Sequence, residues 1–177
     1  SDFVNRIAAT PDIVAVVHLP SIPLDPKAFK KSSWNETQTL IDVSVRSIHE
    51  VLKVTLPSMM KARNGKVVMV LSSVTSGPAP AFMNAYVTSK YALLGLMKAL
   101  ASEMAPYQVC VNAVSPSLIQ TAFVSKLPEL TLEMSAEKNP MKRNAQVKDV
   151  IPMIQTLLSE EAGFITGQNI LISGGEH

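Results

Sequence analysis

Thirteen residues after Ser73, the serine that closes Val70-Leu-Ser-Ser73, comes Tyr86-Val-Thr-Ser-Lys90. A tyrosine and a lysine four positions apart lie one above the other on a helix face. A phenol ionises near pH ~10 and is a poor acid or base at neutral pH. A fixed ammonium one turn away favours the phenolate and brings that pKa toward the range a general acid/base needs. A serine hydroxyl at the end of a buried strand can hold a carbonyl oxygen in place for the proton transfer. Together these groups could reduce a ketone or oxidise an alcohol. By itself a Tyr-x-x-x-Lys pair arises by chance, and Lys90 would then be an ordinary solvated helix residue. The surroundings argue otherwise. Lys66–Leu71 is a short apolar, β-branched run ending in two serines, and Gly77-Pro-Ala-Pro80 blocks regular structure before the next helix. The serines therefore fall at the C-terminal end of a strand, where open α/β sheets place their ligands.

The elements around them follow from periodicity. Ile13–Leu19, Lys66–Leu71, Gln108–Val114 and Gln168–Ile172 are predicted strands. The first is a continuous β-branched run, as expected of a parallel strand covered on both faces. Ser33-Trp-Asn-Glu36 has capping-box spacing and opens a helix predicted to run to about Arg63, loosened at Pro57 and closed by a left-handed cap at Asn64-Gly65. Further helices are predicted over Asn84–Ala105, carrying Tyr86 and Lys90, and Val147–Ser159. Ser115–Pro140 reads as an irregular or helical excursion between strand and helix. The alternation gives an α/β fold, a Rossmann-like parallel sheet with flanking helices.

An ordered set of short stretches now carries a resemblance. It comprises Gly65-Lys-Val-Val-Met-Val-Leu-Ser-Ser73, Tyr86-Val-Thr-Ser-Lys90, Val111-Asn-Ala-Val-Ser-Pro116, Ile119-Gln-Thr121, Ile165-Thr-Gly-Gln168 and Ser173-Gly-Gly175. From about residue 11 onward the chain resembles the C-terminal two-thirds of a short-chain dehydrogenase/reductase (SDR), of the 3-oxoacyl-carrier-protein reductase branch. The resemblance implies that Tyr86 donates the proton, Lys90 tunes it and binds the nicotinamide ribose, and Ser73 holds the carbonyl oxygen. It implies NADP or NAD as cofactor, with Pro116, Ile119 and Thr121 completing that site and the latter two near the carboxamide. The implied substrate is a small-molecule or acyl-carrier carbonyl compound. Helices 36–63 and 84–105 would form a four-helix bundle in a homo-oligomer.

Several positions depart from the family. Its Asn-Asn-Ala-Gly is here His18-Leu-Pro-Ser21, its helix asparagine is Ser44, its Pro-Gly is Pro116-Ser117, and its terminal aspartate is Ser173. The first glycine is Gly65, so no glycine-rich pyrophosphate turn stands within the 177 residues, and the residue choosing NAD or NADP is missing with it. The expectation is one partial SDR domain over 1–177, with the N-terminal βαβ nucleotide-binding half supplied beside Ile13–Leu19 by a longer parent or a second chain. The alternative is a non-catalytic SDR-like subunit that scaffolds an active homologue.

Composition sets bounds. Nearly half the residues (47%) are hydrophobic and 17% are charged, which suggests a surface buried against another body. A net charge of +2 without basic clusters gives no nucleic-acid footprint. No apolar run reaches bilayer length, and a cytoplasmic location is the default. The lone Cys110 reads as a buried core residue, and no His/Cys/Asp/Glu cluster has metal-ligand spacing. His18 reads as a polar strand-end residue, His49 as a helix-surface residue and His177 as part of a tail.

Overall fold

The structure, a computed structural model, describes residues 2–10, 12–124 and 126–176; His177 lies outside them. Four parallel strands, β1 (Ala15–His18), β2 (Gly65–Val70), β3 (Val109–Pro116) and β4 (Asn169–Ile172), pair in the order β1-β2-β3-β4. Every residue of β3 is buried, as is all of β2 except its last. That accounts for their runs of valine, which suit a sheet covered on both faces.

Helices α1 (Asp2–Ala8), α2 (Trp34–Ile41), α3 (Ser47–Ala62), α4 (Asn84–Met104), α5 (Glu129–Lys138) and α6 (Val147–Leu158) surround the sheet. Alternate strand residues face opposite layers. Val67, Met69, Val109 and Val111 meet Ile48, Leu52, Leu93 and Met97 of α3 and α4 on one side. Val68 and Val114 meet Val150 and Leu157 of α6 on the other. β1 lies at the edge of this four-stranded sheet.

The long second helix begins as expected. Glu36 N–H donates to Ser33 Oγ at 3.3 Å, and Ser33 N–H donates to Glu36 Oε2 at 2.8 Å. Its irregularity, however, is not at Pro57. A π turn over Asp42–Arg46 separates α2 from α3, and α3 continues through Pro57. Pro57 and Lys53, whose carbonyl the proline leaves without a donor, are both exposed, so water can replace the missing bond.

The cap also differs from the expectation. Arg63, not Asn64-Gly65, takes the left-handed conformation at φ 51°, and Gly65 already belongs to β2. Glycine is needed there for space. A Cβ would stand 2.8 Å from Met59 Sδ and 2.9 Å from Met59 Cβ. Gly65→Ala should therefore force Met59 out of the core and lower unfolding stability by about 1–3 kcal/mol. A denaturant titration checks this, and an unchanged midpoint would mean that Met59 yields freely.

Candidate active site

At the end of β2 the chain leaves the pleat through Ser72, whose φ of −167° and ψ of 153° are extended, and enters a single 3-10 turn at Ser73–Thr75. Ser72 Oγ accepts from Val74 N–H at 3.4 Å, and Thr75 Oγ1 donates to the Ser72 carbonyl at 2.9 Å. Thr75 also joins Ser115 and Asn169: Ser115 Oγ donates to Asn169 Oδ1 at 2.6 Å, and Asn169 Nδ2 donates to Thr75 Oγ1 at 3.3 Å. This side-chain cluster ties the ends of β2, β3 and β4 together.

Helix α4 buries Tyr86, Ser89, Lys90, Leu93, Met97, Ala101 and Met104, with Tyr86 and Lys90 nearest those strand ends. The steps of three and four make one continuous buried stripe. Tyr86 and Lys90 thus share the face that meets β2, and Ser89 Oγ donates to the Tyr86 carbonyl at 2.8 Å. The Tyr86 ring packs against Phe123 at 5.7 Å between centroids. Lys90 Nζ donates to the Val70 carbonyl at 3.1 Å and lies 5.7 Å from the Tyr86 ring centroid.

Ser73, the serine expected beside Tyr86, heads the 3-10 turn and lines the same cavity as Tyr86, and so does its neighbour Ser72. Two adjacent serines at a strand terminus are not separable by pattern, because the period of two ends where the chain leaves the sheet.

One expectation changes sign. Burial drives the Tyr86 pKa upward and outweighs the neighbouring Ser72 side chain, which acts in the opposite sense. Burial likewise lowers Lys90 from its ordinary 10.5 to about 8. With the ammonium drawn to the Val70 carbonyl, Tyr86 at neutral pH is a neutral phenol, a proton donor.

One cavity of about 730 Å³ gathers Ser72, Ser73, Tyr86, Lys90, Pro116, Ile119 and Thr121. Pro116 ends β3, Ile119 is held by an isolated parallel bridge to Ala145, and exposed Thr121 accepts from Phe123 N–H at 3.4 Å. Apolar side chains, among them Leu24, Met83, Phe123, Val124 and Leu127, form much of the remaining wall. Sequence inspection missed Asn139. Its Nδ2 donates to the Ser173 carbonyl at 2.8 Å, and its Oδ1 would be 2.7 Å from any Cβ at Gly174 (φ 61°). Among the described residues no group of three or more His, Cys, Asp and Glu side chains could hold a metal ion, and no helix is long and apolar enough to cross a membrane.

Known proteins share this architecture and its chain order. Residues 4–177 match the family model described as enoyl-(acyl carrier protein) reductase, so the likeness begins earlier than residue 11. The 3-oxoacyl-[acyl-carrier-protein] reductase FabG of Thermotoga maritima is 35% identical over 146 residues, covering 82% of this chain and 58% of that protein. Dehydrogenase/reductase SDR family member 4 of Homo sapiens is 35% identical over 144 residues, covering 80% of this chain and 50% of that protein. Among solved structures, a short-chain type dehydrogenase/reductase from Mycobacterium ulcerans superposes with a TM-score of 0.86 at 29% identity, over 99% of this chain and 64% of that one. ElxO with NADP bound gives 0.87 at 25% identity, over 99% of this chain and 72% of that one. The chain belongs to the short-chain dehydrogenase/reductase family. It spans half to three-fifths of the length of these two curated relatives.

The buried ammonium makes a prediction about stability. Because Lys90 titrates near 8 in the folded state and near 10.5 when exposed, the unfolded chain holds that proton more tightly. Stability therefore rises from pH 8 to 10.5, and the cost is present in full below 8. Lys90→Met should remove that rise and raise stability at pH 7 by on the order of 1–3 kcal/mol. Unfolding free energy measured across this range checks both.

Proposed function

We propose that this chain carries the catalytic half of an NAD(P)H-dependent short-chain ketoreductase. The observation that carries this proposal is the gathering of Ser73 with its neighbour Ser72, Tyr86 and Lys90 around one largely apolar cavity at the C-terminal ends of β2 and β3. The cavity suits the nicotinamide end of such a coenzyme. Lys90 spends one of its three N–H donors on Val70, which leaves donors for ribose hydroxyls, and Pro116, Ile119 and Thr121 form the adjoining wall. The coenzyme, when bound, supplies the hydride.

The chain's own groups do the rest. Ser73 donates a hydrogen bond to the substrate carbonyl oxygen and fixes its position beside Tyr86. Tyr86 transfers its phenolic proton to that oxygen as negative charge develops there. A pKa raised by burial keeps Tyr86 protonated until the hydride arrives, and the proton then moves to the far more basic alkoxide oxygen. Lys90, still cationic at pH 7, stabilises the phenolate left behind. Turnover needs both reactants held in near-attack geometry, so a nucleotide-binding βαβ half must sit beside the edge strand β1, in the same polypeptide or a second chain. The substrate is an uncharged carbonyl compound or acyl-chain ketone. Self-association would use α2, α3 and α4, which leave Trp34 (69% exposed) and Tyr91 (45%) on the surface. The protein acts in the cytoplasm.

His18-Leu-Pro-Ser21, which departs from the Asn-Asn-Ala-Gly expected from the resemblance, favours a second reading: a non-catalytic subunit that scaffolds an active homologue. Substitutions separate the two. In the assembled enzyme, with NADPH or NADH and an acetoacetyl thioester, Tyr86→Phe should lower kcat by about 10²–10⁴ with the fold intact. Ser73→Ala should cost about ten- to a hundred-fold, the worth of a hydrogen bond to a developing charge, and Ser72→Ala much less. Equal losses at both serines would refute the Ser73 assignment. Full activity in Tyr86→Phe would refute the mechanism.

A further inference from the structure

β1 ends in a buried imidazole that the chemistry above leaves unused. His18 is 7% exposed, and its register partner is Met69, which packs in the layer of α3 and α4. Paired residues on neighbouring strands share a face, so His18 enters the layer that contains Lys90.

Counting hydrogens settles which ring nitrogen is protonated. His18 Nε2 lies 2.8 Å from Ser47 Oγ. Ser47 donates its single hydroxyl hydrogen to the Val43 carbonyl in the π turn. It can therefore only accept from the ring, so Nε2 carries the proton and Nδ1 is a bare lone pair. That Nδ1 is buried and meets no donor within the protein's described residues. Buried acceptors are seldom left this way.

Lys90 is the cation at hand. Its charge, after burial itself, is what opposes protonation of His18, which is held down at about 4. Its ammonium gives one N–H to Val70 and has two more. The ladder explains why Val70 is available. Lys66 N–H donates to Val14, so the even-numbered residues of β2 bond toward β1. Continuing that register makes Pro20 the next donor for the Val70 carbonyl, and proline has no N–H. Pro20 frees one acceptor for Lys90, and His18 offers another.

We propose that His18 is a positioning residue for Lys90: its Nδ1 accepts from the ammonium, directly or through one water, and with the Val70 carbonyl leaves the third N–H for a ligand. A chain of hydrogen bonds then runs from Lys90 through His18 and Ser47 to Val43. It ties α4 across β1 to the π turn. Only the catalytic meaning of this arrangement rests on the ketoreductase reading.

Two measurements on the full chain test it without any turnover. ¹⁵N NMR of histidine reads the His18 tautomer, which should be Nε2–H. Competitive acetylation across pH, read by mass spectrometry, gives the reactivity and pKa of Lys90. His18→Leu removes the acceptor, so the Lys90 pKa should fall and labelling at pH 7 should rise about threefold per half unit. His18→Asn places an amide oxygen where Nδ1 stands and should keep the wild-type rate. An Nδ1–H tautomer, or a folded His18→Leu protein whose Lys90 labels at the wild-type rate, would overturn the proposal. If His18→Leu does not fold, the tautomer and His18→Asn decide, and a folded asparagine variant labelling several-fold faster overturns it. A failed reductase assay leaves all these readouts unchanged.

Discussion

A lysine ammonium buried at the end of a strand is the constraint around which this site is built. Lys90 is 4% exposed, and among the described residues no carboxylate pairs with it. Removing a cation from water is costly unless other groups replace its hydration. Here the β2 terminus supplies a carbonyl that the sheet does not use. Everything near the cavity follows from that placement. Tyr86 must sit one turn earlier on the same helix, Ser72 and Ser73 must lie where the strand releases the chain, and Pro116 to Thr121 must close the side toward β4.

Holding a helix and three strand ends at such distances requires tight packing away from the chemistry. α4 lays a continuous stripe on β2 and β3, and Gly65 lets Met59 of α3 pack against the first residue of β2. Thr75, Ser115 and Asn169 tie the strand ends by side-chain bonds. Asn139 does the same for the Ser173-Gly174-Gly175 turn. None of these groups touches the cavity's reactive hydroxyls, yet each limits how far the walls can shift.

The strands, α4, and the Tyr86–Lys90 pair were legible because each rests on a period: continuous valine runs for a covered strand, steps of three and four for a buried helix face. What escaped depended on something other than period. Pro57 looked like the flaw in the long helix, but solvent satisfies the carbonyl it orphans, and the π turn at Asp42–Arg46 has no compositional mark. Gly65 suggested a left-handed cap, yet its smallness serves a contact with Met59 across a gap in sequence. Tyr86 was expected to be acidified by Lys90. The depth of its burial, which no local pattern reports, reverses the sign. Asn139 and Gly174 meet across 35 residues, and nothing local links them.

The central claim is that hydride and proton meet at one carbonyl in this cavity, with Tyr86 as the proton's source. Isotope transfer tests it most directly. The assembled protein would be given an acetoacetyl thioester with NADPH or NADH deuterated at the transferring C4 position, and the alcohol product analysed by mass spectrometry. Deuterium should appear on the carbinol carbon, and on only one face of the original carbonyl. A folded, coenzyme-binding assembly that forms no labelled alcohol would contradict the claim and leave the chain as a scaffold that keeps a catalytic constellation without using it.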